Sequence, residues 1–144
     1  MIVSRFSKLT QKHRIFSTDG QCFLLAELVE KQGKESLPYL VDALNSDWSI
    51  VRACAAKVLG QLPADVDVVE ALAVAMADSD LTVRRNAVES LGMMKPVPVS
   101  AIPALLEALV DEDVLVREVA LLVLQEIQNV IVAETDACNG RSVA

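Results

Sequence analysis

The stretch Met76-Ala77-Asp78-Ser79-Asp80-Leu81-Thr82-Val83-Arg84-Arg85-Asn86-Ala87-Val88-Glu89-Ser90-Leu91-Gly92 occurs in kind three times in this chain. Leu44, Val51 and Arg52 mark the first copy and Leu109, Val116 and Arg117 the third, so the Val-Arg pair recurs after 32 and then 33 residues. Three residues past each arginine stands Ala55, Ala87 or Ala120, and seven past it Leu59, Leu91 or Leu124. Gly60 and Gly92 follow the first two of these leucines, and Gln125 follows the third. A fixed period of this length marks a stack of repeated supersecondary units.

The residues ahead of each copy also align. Leu37, Val69 and Ile102 match, as do Leu40, Leu72 and Leu105, and Leu44, Met76 and Leu109. Steps of three and four are helical spacing. Each unit therefore reads as helix A, a tight acidic turn, and helix B. Asp67 with Glu70 has the pattern of a capping box for the second A helix, and Ser36 and Ser100 are candidate caps for the other two. Pro38 and Pro103 sit in the first turn, where a missing amide hydrogen costs little. Asp80 and Asp113 are placed to cap the second and third B helices. In the first unit Asp47 lies one residue further from Val51, so that turn differs. Gly60 and Gly92 stand near the ends of their B helices, where a left-handed residue can stop a helix. One helical hairpin cannot bury both of its apolar faces, whereas stacking covers them. The expected fold is all-α, a short right-handed α-α superhelix, with the small Ala55, Ala87 and Ala120 letting A and B helices approach.

The run Leu-x-Asp-x-Asp-x-x-Val-Arg-x-x-Ala-x-x-x-Leu-Gly resembles the HEAT-like repeat of phycobilin lyases and related proteins. Residues 76–92 match it throughout save Met76 for Leu; Ser46 and Trp48 replace the two aspartates of the first copy, and Gln125 replaces the glycine of the third. The resemblance covers about residues 36–127. It implies B helices lining a concave face and an Asp–Arg ladder between adjacent repeats, built here from Arg52, Asp78, Arg84, Asp111 and Arg117. Exposed pairs of that kind add about 0–1 kcal/mol each. The Trp, Leu-Gly and Tyr pattern of tetratricopeptide units and the Thr-Pro-Leu-His of ankyrin units are absent.

The organisation that follows is residues 1–35 as capping helices or a degenerate repeat, 36–62, 63–94 and 95–133 as three repeats, and 134–144 as a loose polar tail. Ile2, Phe6, Leu9, His13 and Phe16 fall on one face of a helix, with Arg5, Lys8 and Lys12 beside them. This arm reads as a cap over the first repeat or as a basic amphipathic helix for a membrane surface or an acidic partner. Asp19-Gly20 is expected to break it before a second helix over 21–32 with Cys22, Leu24, Leu25, Leu28 and Val29 turned inward. At the other end the last B helix continues through Ile127, Val130, Ile131 and Val132. Val119 and Leu122 occupy steps held by Cys54 and Lys57, and by Asn86 and Glu89, in the earlier repeats, and those steps are expected to face solvent. The tail or another chain would then cover them.

Composition bounds the chemistry. The net charge is −7, the wrong sign for general nucleic-acid binding. Residues 1–18 hold Arg5, Lys8, Lys12 and Arg14 and no acid, while the rest holds nine bases and twenty acids. The acid-free, Arg- and Ser-containing start also fits the composition of an organelle transit peptide, and no apolar run reaches membrane-spanning length. Cys22, Cys54 and Cys138 are odd in number and form no CxxC pair, which reads as free thiols in a reducing, cytoplasmic setting. His13 is the single histidine, too few for the usual zinc ligand sets. Asp78-Ser79-Asp80 starts like a calcium loop, but no glycine and distal Glu complete it. No catalytic motif, cofactor or metal is expected, so the chain reads as a non-enzyme.

The expected function is a protein-interaction scaffold or adaptor. Its B-helix face offers Lys57, then Arg85, Asn86, Glu89 and Met93, then Glu118, Val119 and Leu122, a surface that runs from polar to apolar along the stack. The partner is another protein, with a homodimer through the C-terminal repeat as one form. The family resemblance implies a second function, a bilin lyase-like or chaperone-like subunit acting on phycobiliprotein-type partners. The basic arm suggests a third, recruitment to a membrane surface.

Overall fold

The computed structural model describes residues 18–140, with side chains from Cys22 onward. The helix expected over residues 2–16 lies outside them. Seven α-helices and no strand occur among the described residues: α1 Thr18–Gln32, α2 Leu37–Leu44, α3 Ser49–Leu59, α4 Val66–Met76, α5 Leu81–Met93, α6 Ile102–Ala108 and α7 Val114–Cys138. Short 3-10 turns at Gly33–Ser36 and Val99–Ala101 lead into α2 and α6. The A helices α2, α4 and α6 pack on their B helices α3, α5 and α7, and the B helices stack in order. α1 lies on α3, in the place of a B helix preceding the first repeat.

The core repeats with the sequence. Leu40, Leu72 and Leu105 from the A helices and Leu59 and Leu91 from the B helices are fully buried, each stabilising the fold by roughly 1.5–3 kcal/mol. Val51, Val83 and Val116 are buried, and Ala55, Ala87 and Ala120 are completely enclosed between A and B helices. Leu124, third in the B-helix leucine series, is only half-buried, with no further helix packed on it among the described residues.

The helix ends depart from expectation at several points. Asp80 accepts from the amides of Thr82 and Val83, and Asp113 from that of Val116, so both aspartates cap as read. Asp67 does not: α4 starts two residues earlier, with Asp65 at the cap position and Asp67 in the first turn. Asp65 is engaged instead by Lys34. Ser36 makes no cap bond either; it is buried, and its hydroxyl donates to the Gly33 carbonyl at 2.5 Å within the 3-10 turn. Ser100 falls inside the second such turn, and Ala101 holds the cap position of α6. Pro38 and Pro103 sit in the first turns of α2 and α6. The expected break at Asp19-Gly20 is absent, since α1 begins at Thr18 and runs through both.

Gly60 and Gly92 are not left-handed stops; positive φ occurs among the described residues only at Gly33 and Gly140. Their role is close approach. A Cβ on Gly60 would lie 2.7 Å from that of Ser90, and one on Gly92 2.8 Å from Val123 Cγ2. Stacked B helices touch backbone to side chain at these points.

The free-thiol reading fails for two cysteines. Stacking of α1 on α3 brings the Cα atoms of Cys22 and Cys54 to 4.9 Å, and the pair is a disulfide, a separation suited to that bond. Cys138 is free and exposed. The loose tail expected from residue 134 is also corrected, because α7 continues as helix to Cys138.

Candidate protein-binding surface

Along the turn edge of the stack, two motif arginines reach forward to the next repeat. Arg52 donates from Nε and Nη2 to both oxygens of Asp78 at 2.8 and 3.0 Å. Arg84 does the same to Asp111 at 2.9 and 3.3 Å and adds Glu112 at 2.8 Å. The remaining nitrogen, Nη1, turns back to its own turn: to the Ser46 carbonyl in Arg52, and to the Asp78 and Ser79 carbonyls in Arg84. The acids are oriented as well, Asp78 accepting from the Asp80 amide and Asp111 from the Asp113 amide, both at 2.8 Å. The Arg84 and Asp111 side chains are 8% and 11% exposed. These are therefore largely buried, bidentate bonds rather than solvent-exposed pairs. Burial pushes the Asp78 carboxyl up, but the Arg52 bond and the Asp80 amide outweigh it and leave it below its usual value. Bonding to Asp78 raises Arg52, and bonding to Asp111 raises Arg84, each against the opposing effect of burial.

Arg117 is the third member of the series. Its Nη1 donates to the Asp111 and Glu112 carbonyls at 2.6 and 3.0 Å, repeating the turn-back bond. It meets no carboxylate among the described residues.

A second line of pairing runs beside the first. Arg85 Nε and Nη2 donate to the two oxygens of Asp113 at 2.9 and 2.5 Å. This bond, with the α7 amides, lowers the Asp113 carboxyl to about 2. The sequence reading placed Arg85 on a binding face and gave Asp113 only a capping role. The missed signal is offset: Arg85 follows Arg84, and Asp113 lies two residues past Asp111, so the same one-repeat reach connects them.

The expected binding residues divide into two groups. Lys57, Glu89 and Leu122 hold one step on α3, α5 and α7 and all are exposed, forming a ridge across three helices. Met93 at 72% and Leu122 at 64% are its most exposed apolar side chains, and Glu118 is open beside them. Arg85, Asn86 and Val119 are used between helices instead. The Asn86 amide donates to the Ala53 carbonyl at 2.9 Å, and Val119 is half-buried against the core. The step holding Cys54, Asn86 and Val119 thus points at the preceding B helix, correcting its expected exposure.

Elsewhere a groove of about 260 Å³ runs between α4 and α6, floored by Ala73, Ala77, Ala104 and Ala108. Its polar walls include Arg84 and Asp111, already bonded to each other, so it presents little unspent hydrogen-bonding capacity. Among the described residues no group of His, Cys, Asp and Glu side chains is arranged to hold a metal ion, and no helix is long and apolar enough to cross a membrane. The family model for HEAT repeats matches residues 16–92 and, in a second register, residues 37–125. Among curated proteins no significant match to the chain is found.

Proposed function

The chain belongs to the HEAT-repeat family, and from that premise we propose that it is a non-catalytic scaffold that grips another protein through its B-helix ridge. The observation that carries this reading is the exposed series Lys57, Glu89 and Leu122 with Met93. Three successive helices present the same step to solvent, and the side chains change from cationic to anionic to apolar along it. Apolar side chains among charged neighbours are the usual make-up of a protein-binding patch. Arg85, Asn86 and Val119 support the ridge from beneath by fixing the spacing of the helices that carry it.

The phycobilin-lyase resemblance transfers no acid–base residue to this chain, and the membrane reading rests on residues 1–18, almost all outside those described. The cytoplasmic placement is weakened by the Cys22–Cys54 bond, because disulfides persist chiefly in oxidising compartments.

The test is affinity capture from the native host with the full chain and with Leu122→Glu and Met93→Glu. A stoichiometric partner lost with both variants, at unchanged helical circular dichroism, supports the ridge. Equal capture by all three proteins removes it.

A further inference from the structure

The C-terminal end of the stack is built like an internal interface, and among the described residues nothing lies on it. Ala56 of α3 and Val88 of α5 are completely buried beneath the following repeat, whereas Leu121, at the same step of α7, is 48% exposed. Val114 and Val132 are also exposed on the same helix. Arg52 and Arg84 each hold the aspartate of the following turn. Arg117 is oriented by the same turn-back bonds, yet its Nε and Nη2 have no carboxylate among the described residues. The surface therefore combines a pre-oriented guanidinium fork, shaped for a bidentate carboxylate, with an uncovered apolar side chain.

We propose that this end receives a helical hairpin of another protein, and that Arg117 takes a carboxylate carried at that hairpin's turn. This goes beyond the ridge reading and uses a different surface. Charge complementarity selects the occupant: the two equivalent arginines both take a turn aspartate. Arg117 is also the one base among residues 101–140, against eight acids, and Lys95, which reaches α7 from the preceding loop, is held by Glu126. A second copy of this chain is a poor donor. Its turn aspartates Asp78 and Asp111 are already held, and its first turn has Ser46 at that position, at the end that α1 covers. Gln125 stands where Gly60 and Gly92 meet the next helix, so the incoming helix lies nearer at the Arg117 edge than at the Gln125 edge.

The probe is a synthetic peptide of residues 108–120, which carries the Asp111 turn, titrated into the isotope-labelled full chain. The expected result is a saturable shift of the Arg117 Nε–H and Leu121 methyl signals, with Arg52 and Arg84 Nε–H unmoved. That shift is lost with Arg117→Gln and with a peptide bearing asparagine in place of the Asp111 aspartate. It survives Leu122→Glu, which separates this site from the ridge. The proposal is overturned by no saturable shift at millimolar peptide, or by shifts that persist in Arg117→Gln. It is likewise overturned by an Arg117-dependent dimer of the chain alone in sedimentation, which makes a second copy the occupant.

Discussion

Arg85 on α5 and Asp113 at the start of α7 form a two-bond pair, and Asp113 also accepts the Val116 amide, so one carboxylate joins two repeats and caps a helix. Its folded pKa of about 2 lies below the roughly 3.9 of an unfolded aspartate. The unfolded chain thus binds more protons in that range, and stability falls as pH drops from about 4 towards 2. In Arg85→Gln the Asp113 carboxyl should titrate closer to its unfolded value, and this acid loss should become shallower. A carbon-detected titration of Asp113 checks it; an unchanged midpoint in the variant would contradict the assigned cause.

Arg84 and Arg117 hold the same motif position but face different surroundings. Arg84→Gln strands the buried Asp111 carboxylate and should cost on the order of 3 kcal/mol. Arg117→Gln removes no ion pair among the described residues and should cost under about 1 kcal/mol. Urea unfolding of the two variants gives the comparison, and equal losses would show that the ladder is not what distinguishes them.

Gly60→Ala should destabilise although alanine favours helix. The added methyl meets Ser90 Cβ at 2.7 Å, and overpacking costs about 1–3 kcal/mol, more than the roughly 1 kcal/mol gained in helix propensity. Combining it with Ser90→Gly should restore most of the loss. A double variant no better than Gly60→Ala would argue against this contact as the cause.

The Cys22–Cys54 bond closes a separation of 32 residues, for which loop-closure entropy gives about 3–4 kcal/mol. Cys22→Ser should lower the midpoint of thermal unfolding, and reductant should produce a similar drop in the wild type only. Amide exchange should speed up first in α1. Identical melting with and without reductant is the result that sinks this expectation.

The recurring Val-Arg pairs and the enclosed alanines were legible because a period fixes which residues share a face, while the Arg52–Asp78 and Arg84–Asp111 pairing was legible only through the family resemblance. Distances between neighbouring repeats are not contained in a period. Gly60 and Gly92 therefore looked like local helix stops, when the close approach of α5 and α7 is what requires them. Val119 looked solvent-facing because the orientation of its step depends on which side the preceding helix lies. One overlooked clue was present in the numbers. Cys22 and Cys54 are 32 residues apart, and Asn86 and Ala53 33, the same offset as the repeats themselves. Residues one period apart face each other across neighbouring B helices.

The two fastenings between B helices lie at opposite edges: arginine pairs beside the turns, and glycine contacts near the far helix ends. Of the first kind, the part-exposed Arg85–Asp113 pair weakens with added salt, whereas the largely buried Arg52–Asp78 and Arg84–Asp111 pairs are screened much less. The molecule is accordingly a leaf spring clamped along its glycine line and tunable at one seam of the other, so rising ionic strength should part α5 and α7 slightly about that line. Small-angle scattering across a salt series would register this as a growing maximum dimension at constant helix content, and an invariant profile would mean the spring is stiff on both sides.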